Sequence, residues 1–376
     1  MPGITHTYQK RNMAILAVIG FTNVLFLGKY LVRYTNYTIP AILVYLVALV
    51  ALYRVWNKGT NTIPISAVFL SLALVCVGSV IGFSRFPVEK LNVDRWSVIY
   101  TFFDALKSGT YPYGVRSNMS NLPGPLPVYF VMAYPFYLLK EIGYMPLLAL
   151  VLLTIYLFNK GKKENTDYTF ALFILMFSPF MLWEIFARST VFFVSVLWYI
   201  YADWLLTKGI DKPRNLIFAG LFGGLLLSTR FIYVLLLGLY GIYFIKQKIK
   251  LPRIILWGVV TIIALLITLL PLYILYPTDF IKSNPFQTES LSYIPFWLNF
   301  LFPILALGMG FLAKDNKQAI FFSGMVLLLV VALYFGFHIV KDGWTNTFYL
   351  SFADISYFII PIPFLLGVMG KESIKN

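Results

Sequence analysis

Apolar residues in this chain gather in long runs separated by short polar breaks. The runs lie near 13–32, 39–55, 63–83, 145–158, 168–182, 190–206, 216–229, 231–245, 254–276, 294–312, 319–339 and 355–369. The longer ones reach the roughly 17–25 residues that a helix needs to cross hydrocarbon. Several are shorter, and 216–245 reads equally as one bent element. None shows strand alternation, and only helices or closed barrels satisfy their backbone groups in lipid. The pattern predicts an all-α polytopic membrane protein of about twelve transmembrane helices, with residues 1–376 forming a single transmembrane domain. Residues 124–140 (GPLPVYFVMAYPFYLLK) are apolar enough to span, yet Pro125, Pro127 and Pro135 interrupt them.

Lysine and arginine decide how 124–140 is placed, because short cytoplasmic loops retain them. If this stretch does not cross and the N-terminus is cytoplasmic, KGKK (160–163), TKGIDKPR (207–214), KQKIKLPR (246–253) and KDNK (314–317) share the inner side with both termini. That arrangement puts 18 of the 30 Lys and Arg residues inside, and six of the other twelve fall in the long 84–144 segment. A full crossing would turn every later basic loop outward. Residues 124–140 are therefore expected to lie on, or dip into, the outer leaflet. The segment 84–144 becomes a long first extracytoplasmic loop carrying amphipathic juxtamembrane helices.

Composition sharpens the class. Of the 376 residues 60% are hydrophobic and 12% charged, with mean hydropathy +0.79, whereas a soluble domain carries about a quarter charged residues. The net charge of +15 sits mostly in short loops beside apolar runs. Topology and anionic headgroups account for it, so membrane lipids are expected partners and nucleic acid is not. Cys76 has no partner cysteine, and His6 and His338 are too few for a histidine metal site. The inner loops are too short for a βαβ nucleotide-binding unit, and no Gly-rich phosphate motif occurs. The polar chemistry lies outside.

The most informative stretch is 94–127, DRWSVIYTFFDALKSGTYPYGVRSNMSNLPGPLP. Trp96, Ile99, Tyr100, Phe103 and Leu106 recur at three and four residues, which predicts a helix over 94–108 with its apolar stripe on the membrane. Arg95, Ser97, Thr101, Asp104 and Ser108 fall away from that stripe, and Gly109 is a natural stop. An acidic residue after an outward span, an amphipathic helix, a G-x-YPY turn and a Pro-rich P-x-P-L before an apolar helix resemble the first extracytoplasmic loop of GT-C glycosyltransferases. The likeness is to the mannosyltransferase-like families that use polyprenyl-phosphate sugars. LLLSTRFIYVLLL (225–237) resembles their short-helix pair with Arg at its outer tip, and DISYFIIPIPFLL (354–366) the aspartate, tyrosine and proline opening their last span. Two spans precede the expected first one, and DRW stands where a paired-carboxylate motif would be.

The resemblance implies transfer of a sugar from a polyprenyl-phosphate donor to a glycan, lipid or protein acceptor at the extracytoplasmic face. It assigns Asp94 as the catalytic base, and no metal ligand, although a divalent metal is possible as cofactor. Asp94 also stands where a helix N-cap belongs. Arg230, between two short apolar runs, either holds the donor phosphate or snorkels to headgroups. Glu184 and Arg188 are spaced as a helical i,i+4 ion pair, the alternative being that Arg188 joins the phosphate site. Tyr111, Tyr113 and Arg116 border the expected cleft, and Asp354 is either a cap or a cleft acid. The expected setting is a bacterial inner membrane rather than the endoplasmic reticulum. A transporter or flippase of a lipid-linked or amphipathic solute, and a scaffold subunit of a glycan-assembly complex, are the rival readings.

Overall fold

The computed structural model describes residues 2–58, 63–91, 93–286, 295–351 and 353–372. Three long helices open the chain: α1 (Pro2–Tyr30), α2 (Thr38–Lys58) and α3 (Ile65–Arg85). Two shorter helices follow, α4 (Arg95–Lys107) and α5 (Pro127–Leu138), and then α6 (Tyr144–Glu164), α7 (Thr169–Met176), α8 (Pro179–Phe186) and α9 (Val191–Lys208). The rest comprises α10 (Pro213–Leu227), α11 (Val234–Lys246), α12 (Leu251–Leu275), α13 (Pro277–Lys282), α14 (Phe296–Leu312), α15 (Asn316–Asp342) and α16 (Ile362–Leu366). A two-residue antiparallel ladder pairs Thr166 with Glu372 and Asp167 with Lys371.

Among the described residues seven helices are long and apolar enough to cross a membrane. The pair α7–α8 makes an eighth if its 59° bend is bridged as one broken span. The architecture is that of an all-α, multi-pass membrane protein. The other four apolar runs form shorter helices. At 1.5 Å per residue the 15 residues of α10 reach only about 22 Å, short of the roughly 30 Å of hydrocarbon. The polar tip Ser228–Arg230 stops α10, while Pro361 and Pro363 leave a 3₁₀ turn and the five-residue α16 at the chain's end.

Contacts sort the loops into two ends of the bundle. At one end Lys160 pairs with Asp203 at 2.5 Å and Glu164 with Lys317 at 3.6 Å. There too Asn316 donates to Leu206 O, Lys246 to Ala313 O, Arg253 to Asp211 and Lys371 to Trp56 O. The loops 160–163, 207–214, 246–253 and 314–317 thus meet at a single basic end. The opposite end gathers Arg33, Phe86, Arg95, Glu184, Ser228 and Asp354. Helix α5 starts and finishes at this second end, since Leu126 N donates to Thr229 O while Glu141, just beyond the helix, meets Arg188.

Close helix approach carries much of the packing. Gly220 and Gly224, four apart on α10, face α12, and a Cβ on Gly224 would lie 2.3 Å from Thr261 O. Small residues at this spacing let two backbones touch where lipid supplies no hydrophobic drive. Gly224→Val is expected to separate α10 from α12 and lower stability by about 1–3 kcal/mol, read as a fall in the thermal midpoint of detergent-purified protein.

Candidate active site

Five separate segments bring polar side chains together at the non-basic end: the start of α4, the start of α5, the α8–α9 junction, the α10–α11 tip and 354–356. Helix α4 forms as its spacing predicts and stops where Gly109 takes φ +72°. Its buried face is rotated from the expected stripe, because Ser97 and Phe102 are buried along with Ile99 and Phe103. The reason is that α4 is covered by protein: Phe102 stacks on Phe130 of α5 with centroids 3.5 Å apart, and Tyr113 meets Phe102 edge-on.

Arg95, expected on the wet side, is the hub. It is 13% exposed and bonds Asp354 Oδ2 at 2.8 Å and Glu184 Oε2 at 3.4 Å. It also donates to Ser356 Oγ, which itself donates to Glu184 Oε1 at 2.6 Å. Exposure rises along this chain, from 0% at Glu184 through Arg95 to 39% at Asp354. Burial works against the Arg95 charge, and Asp354 and Glu184 overcome it, so its pKa is raised.

Asp354 serves both roles weighed for it. Its Oδ1 accepts from Ser356 N at 3.0 Å as a cap, while its Oδ2 takes Arg95. Burial pushes its carboxyl up, but the Arg95 charge and the Ser356 N–H outweigh that and leave it below the usual range. A depressed carboxyl stabilises the fold above its unfolded pKa, and that contribution disappears as pH falls through the folded value. The thermal midpoint should therefore hold steady down to about pH 4 and drop below it, as a pH series of melts will report.

Asp94 does not cap α4 with its side chain. Its carboxylate accepts from Asn121 Nδ2 at 2.7 Å and Ser117 Oγ at 3.1 Å, and so ties the 117–121 turn to the start of α4. The Arg230 guanidinium lies 6.0 Å from the ring of Tyr129, at the start of α5. The phenol itself is hydrogen-bonded to Thr190.

Four residues expected at the ligand hold the framework in this structure. Arg188 does not pair with Glu184, because α8 ends at Phe186 and Arg188 adopts φ +55°. Its side chain instead grips Glu141, with Nε–Oε1 and Nη2–Oε2 both 3.2 Å, and donates to Phe186 O and Phe86 O. Beside the end of α3 it neutralises the negative pole of that helix, and none of its face is open to an anion. The Tyr111 hydroxyl donates to Ser283 O at 2.7 Å and that of Tyr113 to Pro125 O at 2.9 Å, and both rings are buried. Burial, then the charge of Asp279, raise the Tyr111 phenol. Arg116 is exposed and closes its own turn on Ser120 O at 2.6 Å.

The side chains bonded to the Asp94 carboxylate are one amide and one hydroxyl. Among the described residues no three His, Cys, Asp or Glu side chains come together. Arg95, Glu184, Ser356 and Tyr129 went unrecognised in the sequence as site residues; DRW does place a cation directly after the acid. No family model matches the chain, and neither the curated proteins nor the solved structures contain a match to it.

Proposed function

We propose that this chain is an integral-membrane glycosyltransferase. It takes a sugar from a polyprenyl-phosphate donor and passes it to a glycan, lipid or protein acceptor at the extracytoplasmic face of a bacterial plasma membrane. In this reading the basic end is cytoplasmic, the twelve apolar runs pass in turn between the two ends of the bundle, the four short ones completing their path with the non-helical residues beside them, and α5 stays in the outer leaflet. One observation carries it: Asp94 opens α4, Arg230 lies 6.0 Å from the Tyr129 ring of α5, and α4 packs on α5, so an acid and a cation from distant segments share one end of the bundle.

The chemistry follows from those roles. Asp94 accepts the acceptor hydroxyl proton as its oxygen bonds the anomeric carbon. The bond from that carbon to the phosphate oxygen breaks, and Arg230 stabilises the departing anion. A phosphate leaves without a strong general acid, so one carboxylate is enough, whereas an ordinary glycosidic bond calls for two. A single displacement inverts the anomeric configuration. Arg95 positions Asp354 and Glu184 and is not itself a reacting group.

The test uses the purified protein in proteoliposomes with radiolabelled polyprenyl-phosphate sugars and a panel of acceptors. Labelled product of inverted configuration supports the reading. Absence of product across the panel, together with uptake or flipping of the labelled lipid, would replace it with transport. The break between α7 and α8 favours that second reading, since transporters place broken helices at their sites. Asn23 Oδ1 satisfies the break, accepting from Ser178 Oγ at 2.8 Å and Phe180 N at 3.0 Å.

A further inference from the structure

Lys29 is a buried ammonium without a hydrogen bond. It lies in the last turn of α1 and is 1% exposed, and its Nζ meets no acceptor among the described residues. Its neighbours are ring faces, Tyr30 at 5.6 Å and Phe348 at 5.8 Å. An ammonium has three donors to place, and leaving them unpaired in a dry site is strongly unfavourable.

Arg95 holds both Asp354 and Glu184, and neither carboxylate is bonded to Lys29, which is left without a bonded counter-ion among the described residues. Two other donors beside the same rings also lack partners. They are Thr347 Oγ1, fully buried next to Phe348, and Trp183 Nε1, whose ring lies 4.9 Å from that of Tyr30.

The geometry points to a second anion subsite at Lys29, taking a phosphate monoester and distinct from Arg230 at the α10–α11 tip. Phosphate is favoured over carboxylate by the donor left available. A carboxylate matches the planar fork of an arginine, and the Arg95 fork is already held by Asp354 and Glu184; the remaining point-charge ammonium suits a phosphate oxygen. Arg230 lies 6.0 Å from the Tyr129 ring, while Lys29 lies against Tyr30 and Phe348, so the two cations have separate surroundings. Of Glu184, Arg95, Lys29 and Asp354, Asp354 is the most exposed. Resting on the transfer reading, this division gives the Arg230 side to the donor and the Lys29 side to an acidic, phosphate-bearing acceptor. Binding at Lys29 itself is independent of that reading.

The experiment measures thermal midpoints of the full chain in phosphatidylcholine nanodiscs. One arm titrates inorganic phosphate against chloride at equal ionic strength, and the other replaces part of the lipid with phosphatidic acid. A ligand that binds the folded state raises the midpoint with its concentration. A rise in the first arm identifies a water-borne phosphate, and a rise in the second alone a lipid-borne one. No rise in either arm overturns the subsite. Lys29→Met should raise the midpoint of the empty protein, by removing the stranded charge, and weaken the phosphate response at least about 30-fold. A lower midpoint with an unchanged response would show that Lys29 only packs, and would overturn the proposal. Stabilisation by phosphate in a wild-type protein that makes no glycosyl product would remove the transfer reading and leave the subsite standing. Product formation without any phosphate response would remove the subsite alone.

Discussion

Arg95→Met is expected to destabilise the protein by about 3–5 kcal/mol, the range found when one partner of a buried ion pair is removed. Glu184 is 0% exposed and takes the Arg95 guanidinium on Oε2. Methionine fills the space of the arginine stem but leaves that carboxylate buried opposite a thioether. The Ser356 hydroxyl, bonded to both partners, would lose one of them, and the cap at Asp354 would loosen with it. The double variant Arg95→Met with Glu184→Gln should recover most of the loss, because no uncompensated charge then remains inside. Glu184→Gln alone should be mild, since Arg95 keeps Asp354 at 2.8 Å. Thermal melts of the three purified variants decide the matter. A single variant that melts like the wild type would mean that Glu184 finds another partner.

Much of the fold was legible because the bilayer imposes a coarse rule on sequence. Long apolar runs became the long helices, and the lysine-rich breaks between them met at one end, as charge retention in short loops requires. The turn at Gly109 was also readable, since it rests on local chemistry, while the sequence left 216–245 open between two runs and one bent element, and two helices, α10 and α11, form there. The span count was less secure because hydropathy does not register where a helix breaks. Phe177 and Ser178 read as part of one run, yet Asn23, far away in sequence, supplies the hydrogen bonds that let the chain bend there.

The site was legible only where a residue's role is local. Asp94 and Arg230 could be picked out as charges at the ends of apolar runs. What each one touches depends on residues tens to hundreds of positions away. Arg95 was assigned to solvent from helix periodicity, which describes one helix against one flat surface. Helix α4 is instead covered on a second side, where Arg95 meets Glu184 of α8 and residues 354–356, so a polar position became a buried hub. Arg188 shows the opposite error: the i,i+4 spacing to Glu184 presumes a continuous helix, and α8 ends two residues too early.

Asp94→Asn is expected to lower the rate of sugar transfer by about 10²–10⁴-fold, the usual contribution of a positioned general base, while leaving the thermal midpoint unchanged. The amide keeps an oxygen for Asn121 Nδ2, now 2.7 Å from the carboxylate, so the 117–121 turn stays tied to α4. What it cannot do is accept a proton from the acceptor hydroxyl. Asp94→Ala removes both functions and should show lost turnover together with a lower midpoint. The contrast between the two variants separates chemistry from architecture. Full transfer by Asp94→Asn with failure only in Asp94→Ala would make Asp94 a loop anchor, and the proton would then have to leave through another group. Binding of the labelled donor offers an independent reading of the same variant. Arg230 approaches from the α10–α11 tip and makes no bond to Asp94 among the described contacts, so the amide variant should retain the donor at wild-type strength while turning it over slowly.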